Sequence, residues 1–338
     1  MFSAYPLTRL SESHRVTPMV RFAVLLALAS GPITTWAQVA PDAKVVFLKG
    51  TALMTANADG SNVQTLVNDG IPKSHPQWSP AGDKIVYETG EGTYNVPGGH
   101  PVTGITNMVV VTAGGQLLNT IPQNTGVDWG FSMDGIGWYS ENAVFVTGHL
   151  NRFDDGYVSL DLSSGQAIQN ILQPTGGGDP SAFQTCGTSA QVAYPVDMRY
   201  LGTASITVQV NGSTVYTAQL PPAPPFYLAE LHWSGDCSRL GFIETVNTSS
   251  TLVVVSGTSV EARVPIPADA GWPVTVVPLG SSFMIRSSAR DAFFYDTAAH
   301  TLRPAPDILQ QLQQRENAEA KIMQTLGGQS PDWHRPSR

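Results

Sequence analysis

The chain has 338 residues, of which 13% are charged, with 32 glycines, 25 prolines and a formal net charge of −8. That acidic balance lacks the basic footprint that nucleic acid or an anionic membrane surface requires, and it excludes both as expected partners. The Gly and Pro content fits many short strands joined by turns rather than a mainly helical fold.

The first 37 residues read as a secretory signal peptide, not as part of the fold. Arg9, Arg15 and Arg21 precede an apolar run from Phe22 to Ser30, and Thr35-Trp36-Ala37 ends on the small residue that a signal peptidase needs. The run is shorter than the roughly 20 residues of a membrane span, and the competing reading is a buried N-terminal helix. Translation can begin at Met1 or at Met19, since the segment from Met19 already has a charged head and an apolar body. The mature chain is then expected to start near Gln38 in the periplasm or outside the cell. Without the three arginines and Glu12 its net charge is −10.

From residue 44 the runs "KVVFLKG", "TALMTAN" and "VQTLV" read as three strands. Between the last two lies "ANADGSN", whose Asp59-Gly60 supplies the positive φ of a tight hairpin. "HPQWSPAGDKIVYET" follows, with Trp78 seven residues before Ile85, and this frame recurs along the chain. "GWYSENAVFVTG" fits it at Trp138 with a shorter turn, and "QTCGTSAQVAYPV" has Thr185 in the tryptophan position with Val192 seven on. "HWSGDCSRLGFIET" sets Trp233 seven before Leu240. "TVVPLGSSFMIRS" is the most degraded copy, with Val276 in the tryptophan position and Phe283 seven on. The intervals from Trp138 onward are 47, 48 and 43 residues. The step from Trp78 to Trp138 is 60, its surplus falling in the insert "GEGTYNVPGGHPVTG".

Each unit reads as four strands, for example "AELHWS", "RLGFIET", "TLVVVSG" and "VEARVPI". One such sheet cannot bury both of its faces, and radial stacking around an axis solves that problem. The expected fold is an all-β propeller over residues 38–305, of about six four-stranded blades within a range of five to seven. Its tryptophans pack between blades, and strands from both chain ends close the ring. Beyond it, Ile308, Leu309, Leu312, Ile322, Met323 and Leu326 recur at helical spacing between Pro306-Asp307 and Gly327-Gly328. This predicts a C-terminal helix over 306–328, packed on the outside of the propeller, and leaves 329–338 as a disordered tail.

The stretch Asn57-Ala58-Asp59-Gly60-Ser61-Asn62 and the following Trp78-Ser79-Pro80-Ala81-Gly82-Asp83-Lys84 resemble the repeat of the TolB-like (WD40-like) propeller family. The likeness is strong in that unit and recognisable at 232–244, and it covers residues 44 to about 305 mainly as architecture. The family's type member carries an α/β domain before its propeller, which this sequence is expected to lack. The resemblance implies docking of a protein or peptide at the propeller mouth. The same repeat accompanies the catalytic domain of prolyl oligopeptidase-like enzymes, but no G-x-S-x-G nucleophile elbow occurs here.

The expected function is therefore a secreted or periplasmic protein- or peptide-binding module without cofactor. The alternative is a carbohydrate-active or metal-dependent propeller enzyme of the lyase or lactonase type. For binding, the candidates are Asp128, Trp129, Phe131 and Asp134, the most aromatic segment of the chain with an acid at each side. With the insert 90–106 they are expected to form one rim of the mouth. His75 and His232 join them as axis-facing residues of inner strands. His100, His149 and His300 form no close pair, Asp154 and Asp155 are read as holding a turn, with calcium binding as the alternative, and no metal site is expected. Cys186 and Cys237 allow one connectivity. In the repeat frame they fall near inner turns of neighbouring blades, within reach of a disulfide; otherwise they are two buried thiols.

Overall fold

The computed structural model describes residues 43–94, 102–122, 132–151, 154–174, 183–198, 205–219, 226–267, 274–287 and 291–334. The expected signal segment lies outside them. The described residues form six four-stranded antiparallel sheets and one long helix.

Five sheets take their strands consecutively. Blade 2 is β4 (Lys73–Trp78), β5 (Lys84–Tyr94), β6 (Val102–Thr112) and β7 (Leu117–Pro122). Blade 3 is β8 (Ser132–Ser140), β9 (Ala143–Asn151), β10 (Asp154–Asp161) and β11 (Ala167–Pro174). Blade 4 is β12 (Gln184–Cys186), β13 (Gln191–Asp197), β14 (Ser205–Val210) and β15 (Ser213–Gln219). Blade 5 is β16 (Phe226–Trp233), β17 (Leu240–Val246), β18 (Ser249–Ser256) and β19 (Ser259–Pro265). Blade 6 is β20 (Val274–Leu279), β21 (Ser282–Ser287), β22 (Ala292–Asp296) and β23 (Thr301–Pro304). Blade 1 differs: β1 (Lys44–Lys49), β2 (Ala52–Asn57) and β3 (Gln64–Val67) are completed by β24 (Gln329–His334), which pairs with β1. The first strands of successive sheets adjoin one another, which makes the assembly a six-bladed β-propeller with these strands around its axis.

Burial follows strand position. Second strands are covered on both faces: in β17, Leu240 to Thr245 are all buried, and in β1, Val45 to Leu48. Fourth strands alternate, as in β19, where Ala262 and Val264 are buried and Arg263 and Pro265 exposed. Between blades the tryptophan frame does what its spacing predicts. Trp78 packs into the core shared by blades 1 and 2, Trp138 into that of blades 2 and 3, and Trp233 against that of blades 4 and 5. The Trp138 indole N–H donates to the Gln77 carbonyl (3.2 Å) and that of Trp233 to the Gln184 carbonyl (3.0 Å), each one blade back. Such a donor needs a partner when its ring is buried.

Two copies of the frame change on inspection. Thr185 does not fill the seam between blades 3 and 4. Phe183, two residues earlier and so on the same face of the strand, does so by stacking between Tyr157 (5.5 Å) and Tyr194 (5.3 Å). In blade 6, Val276 occupies the seam but lies opposite Ile285, because a two-residue turn shifts Phe283 to face Pro278.

Helix α1 (Pro306–Leu326) starts with Pro306 in its first turn and stops where Gly327 takes a left-handed φ of 63°. It buries Leu309 and Leu312 against Met284 and Ala292 of blade 6, and Met323 against Val45 and Phe47 of blade 1. It therefore bridges the last seam. Gly328 follows in a gap where a Cβ would collide with Phe47 and Met323. The tail beyond is not disordered as expected: residues 329–334 are the closing strand. Its "SPDW" repeats the "HPQW" of blade 2, and Trp333 packs on the core that holds Met323. The 21-residue helix stands between this copy and the previous one and hides it from a search at fixed interval.

Candidate functional site

The strands around the axis are not regular. In β4 the ladder slips between Ser74 and Gln77, in β16 between Ala229 and His232, and in β24 opposite Val46 and Leu48. Each slip is a β-bulge, and each holds a non-glycine residue in the left-handed region: His75 (φ 45°), Glu230 (φ 56°) and Ser330 (φ 48°). All three stand three residues before a tryptophan of the frame. His75 and Ser330 also precede prolines, which favour extended backbone before them. Such conformations cost on the order of 1–3 kcal/mol each. β8 slips at the corresponding place, between Met133 and Gly135, around the candidate Asp134.

His75 is the most elaborated of the three. Its Nδ1 lies 2.6 Å from Oε2 of Glu88, which also accepts from the Ser74 hydroxyl (2.8 Å). The Glu88 side chain is 1% exposed and that of His75 61%, so a buried carboxylate orients an exposed imidazole. Glu230, across the ring, accepts from the Val276 N–H (3.3 Å) and faces His232 (3.6 Å). Burial pushes His232 below its ordinary pKa, against the opposing pull of Glu230. Two more side chains tie neighbouring axial strands: Asp332 accepts from the backbone N–H of Trp78 (2.7 Å), and the Gln77 amide donates to the Ile136 carbonyl (2.8 Å).

Of the binding candidates, His75 and His232 both lie on axial strands, but the structure does not join them: each faces a carboxylate of its own blade. Asp128, Trp129 and Phe131 lie outside the described residues, as does His100. Part of the insert extends blade 2 as a longer hairpin, with Tyr94 paired to Val102, away from the axial strand. By strand direction it shares an end of the ring with the last residues of β7 and with residues 68–72 entering β4. Asp154 and Asp155 open β10 and do not form a turn. Cys186 and Cys237 are joined, with Cα atoms 6.0 Å apart, across the seam of blades 4 and 5. No group of three or more His, Cys, Asp or Glu able to hold a metal occurs among the described residues. Sequence reading missed Glu88, Glu230 and Ser330. The first sits on a second strand, and the others gain meaning only from the bulge.

At the opposite end of the ring, the inner turns of blades 2, 3 and 4 enclose a depression of about 610 Å³ lined by Pro80, Ala81, Ser140–Asn142 and Gly187–Ala190. Its carboxylate, Glu141, is consumed by Lys84 (2.7 Å) and the Ala81 N–H (2.8 Å). The axial strands are therefore the stronger candidate.

No protein-family model and no curated protein matches the chain. Among solved structures, an uncharacterised protein of Listeria monocytogenes is similar with a TM-score of 0.50 and 8% identity, over 78% of this chain and 79% of that one. A eukaryotic initiation factor reaches 0.49 at 12% identity over 80% of this chain, and an acylaminoacyl peptidase of Pyrococcus horikoshii 0.43 at 12% over 75%. The chain spans 63% of the initiation factor chain and 41% of the peptidase chain. Identities this low speak to fold alone.

Proposed function

We propose that this propeller is TolB-like and exported, and that it binds a protein or peptide segment through the end of its axis where residues 68–72 enter β4. The observation that carries this reading is the set of left-handed polar residues, His75, Glu230 and Ser330, on three axial strands. A ring needing only to fold would place glycine at such positions. Strain held on a rigid scaffold is a feature of binding sites. Exposed Ile71 (45%) offers an apolar contact at the same end. The closing "SPDW" adds a further copy in favour of the TolB-like repeat. The disulfide agrees with an oxidising compartment. Among the described residues no helix is long and apolar enough to cross a membrane.

The test places a photo-crosslinking amino acid at Ile71 or at Leu117, an exposed outer-strand residue, in cells that express the protein. A discrete protein adduct from position 71, absent from position 117, is the expected outcome. Equal labelling from both, or none from 71, would overturn the reading. One zinc, manganese or calcium ion per purified chain would instead favour a metal-dependent enzyme.

A further inference from the structure

The left-handed positions share a backbone but not a chemistry. We propose that the place three residues before the tryptophan is where the ring reads its ligand. At blades 1 and 2 it reads a carboxylate on the bound peptide, taken by Nε2 of His75 with the Ser330 hydroxyl on the adjoining strand. This rests on the peptide-binding reading above and names the group recognised.

Around that place, the parts that hold the fold repeat. Pro76 and Pro331 come next, and Trp78, Trp233 and Trp333 stand three residues on. What varies is the side chain: imidazole, carboxylate, hydroxyl. Each is kept where glycine would relieve the backbone. In His75, Nδ1 faces Glu88, so Nε2 is the nitrogen left for a ligand. A carboxylate as buried as Glu88 needs a compensating charge. An imidazole with protons on both ring nitrogens is such a charge. Nε2–H is then a charged donor with its counter-ion behind it, the kind of group that binds a carboxylate oxygen best. Lys73 does not compete, because its ammonium is held by Asp69 and by the carbonyls of Thr51 and Ile71. Asp332 is engaged by the Trp78 N–H. Glu230 holds the equivalent place on blade 5, three blades away, with the opposite sign, and so directs an acidic group toward blade 2.

The experiment titrates protein carrying ¹⁵N-labelled histidine with acetyl-Ala-Glu-Ala-amide, acetyl-Ala-Gln-Ala-amide and acetyl-Ala-Lys-Ala-amide, observed by NMR. The His75 Nε2 signal is expected to move saturably with the glutamate peptide, at an affinity about tenfold above that for the glutamine peptide. His75→Gln should remove that preference. Because it strands Glu88, the His75→Gln/Glu88→Gln double variant provides a second, charge-free protein for the same measurement, followed there by peptide signals. Equal affinity for the glutamate and glutamine peptides, or a preference that survives in the double variant, would overturn the carboxylate assignment and leave peptide binding intact. Failure of all three peptides to move His75 overturns it too, and the adduct from position 71 then decides whether the broader reading falls with it.

Discussion

Two seams of the ring meet the same demand by opposite means. Between blades 4 and 5, contact is continuous from axis to rim. It runs from the Cys186–Cys237 bridge and Trp233 through Tyr216 against Phe242 (5.1 Å, edge-on) to Arg263, paired with Glu244 at 2.7 Å. Between blades 6 and 1, the described contacts centre on one helix and one strand from the far end of the chain, held by Met323, Leu326 and Trp333. The first seam joins parts of the chain close in sequence, so its contacts restrict short loops. The second is bridged by α1 on its way to β24, whose pairing with β1 inside blade 1 sets residue 334 beside residue 44 and gathers nearly the whole described chain into one loop. Covalent support sits where the ring is already locally tied, and closure rests on the β1–β24 ladder and the packing around it.

The largest effect should come from ending the chain after Gly328. This strips β1 of its inner neighbour and removes Trp333, and a loss of about 5 kcal/mol or more is expected, comparable with the stability of an ordinary domain. Calorimetry should show no cooperative transition; a melt near that of the full chain would mean that closure is not what holds the ring. At the other seam, replacing both cysteines by serine should lower stability by about 4 kcal/mol at most for a separation of 51 residues, with the fold retained. Urea unfolding of the two proteins side by side ranks the seams, and a larger loss from the cysteine pair than from the truncation would reverse the comparison.

The smallest effect belongs to pH. His232, beside Trp233, has its folded pKa held below the ordinary 6.5 by burial. As pH falls the unfolded chain takes up this proton first, so stability is intact above 6.5 and declines as pH drops through that value. The urea midpoint should fall from pH 7.5 to 5.5 more in the natural protein than in His232→Asn. Equal declines would remove His232 from the account.

Much of this architecture was legible because tryptophan in the frame has one task. A large ring at the end of an axial strand can be buried only against the preceding blade, so Trp78, Trp138 and Trp233 reported blade count and seam position together. Where the seam is filled otherwise, the signal moved: Phe183 does the work two residues before Thr185, and a shorter turn displaced the partner of Val276. Trp333 carried the same signal but lay beyond a helix, where no further copy at the repeat interval was expected. The site was less legible for a different reason. His75-Pro76 reads as extended chain, and the bulge that gives it φ 45° depends on a register set by the partner strand. Residue identity located the histidine; tertiary pairing decided what it faces.

Lys44 and His334 are paired across β1 and β24. The two ends of the folded chain therefore meet at the side of the ring that carries the inner turns, opposite the side where residues 68–72 enter. A short linker between them would give a circular permutant, with new ends available in the exposed Asn247-Thr248 turn of blade 5. In that protein the β24–β1 pairing inside blade 1 becomes a continuous hairpin, while the break falls inside blade 5, between β17 and β18. For the natural order, the described chain begins and ends at the rear of the ring, opposite the axial entrance.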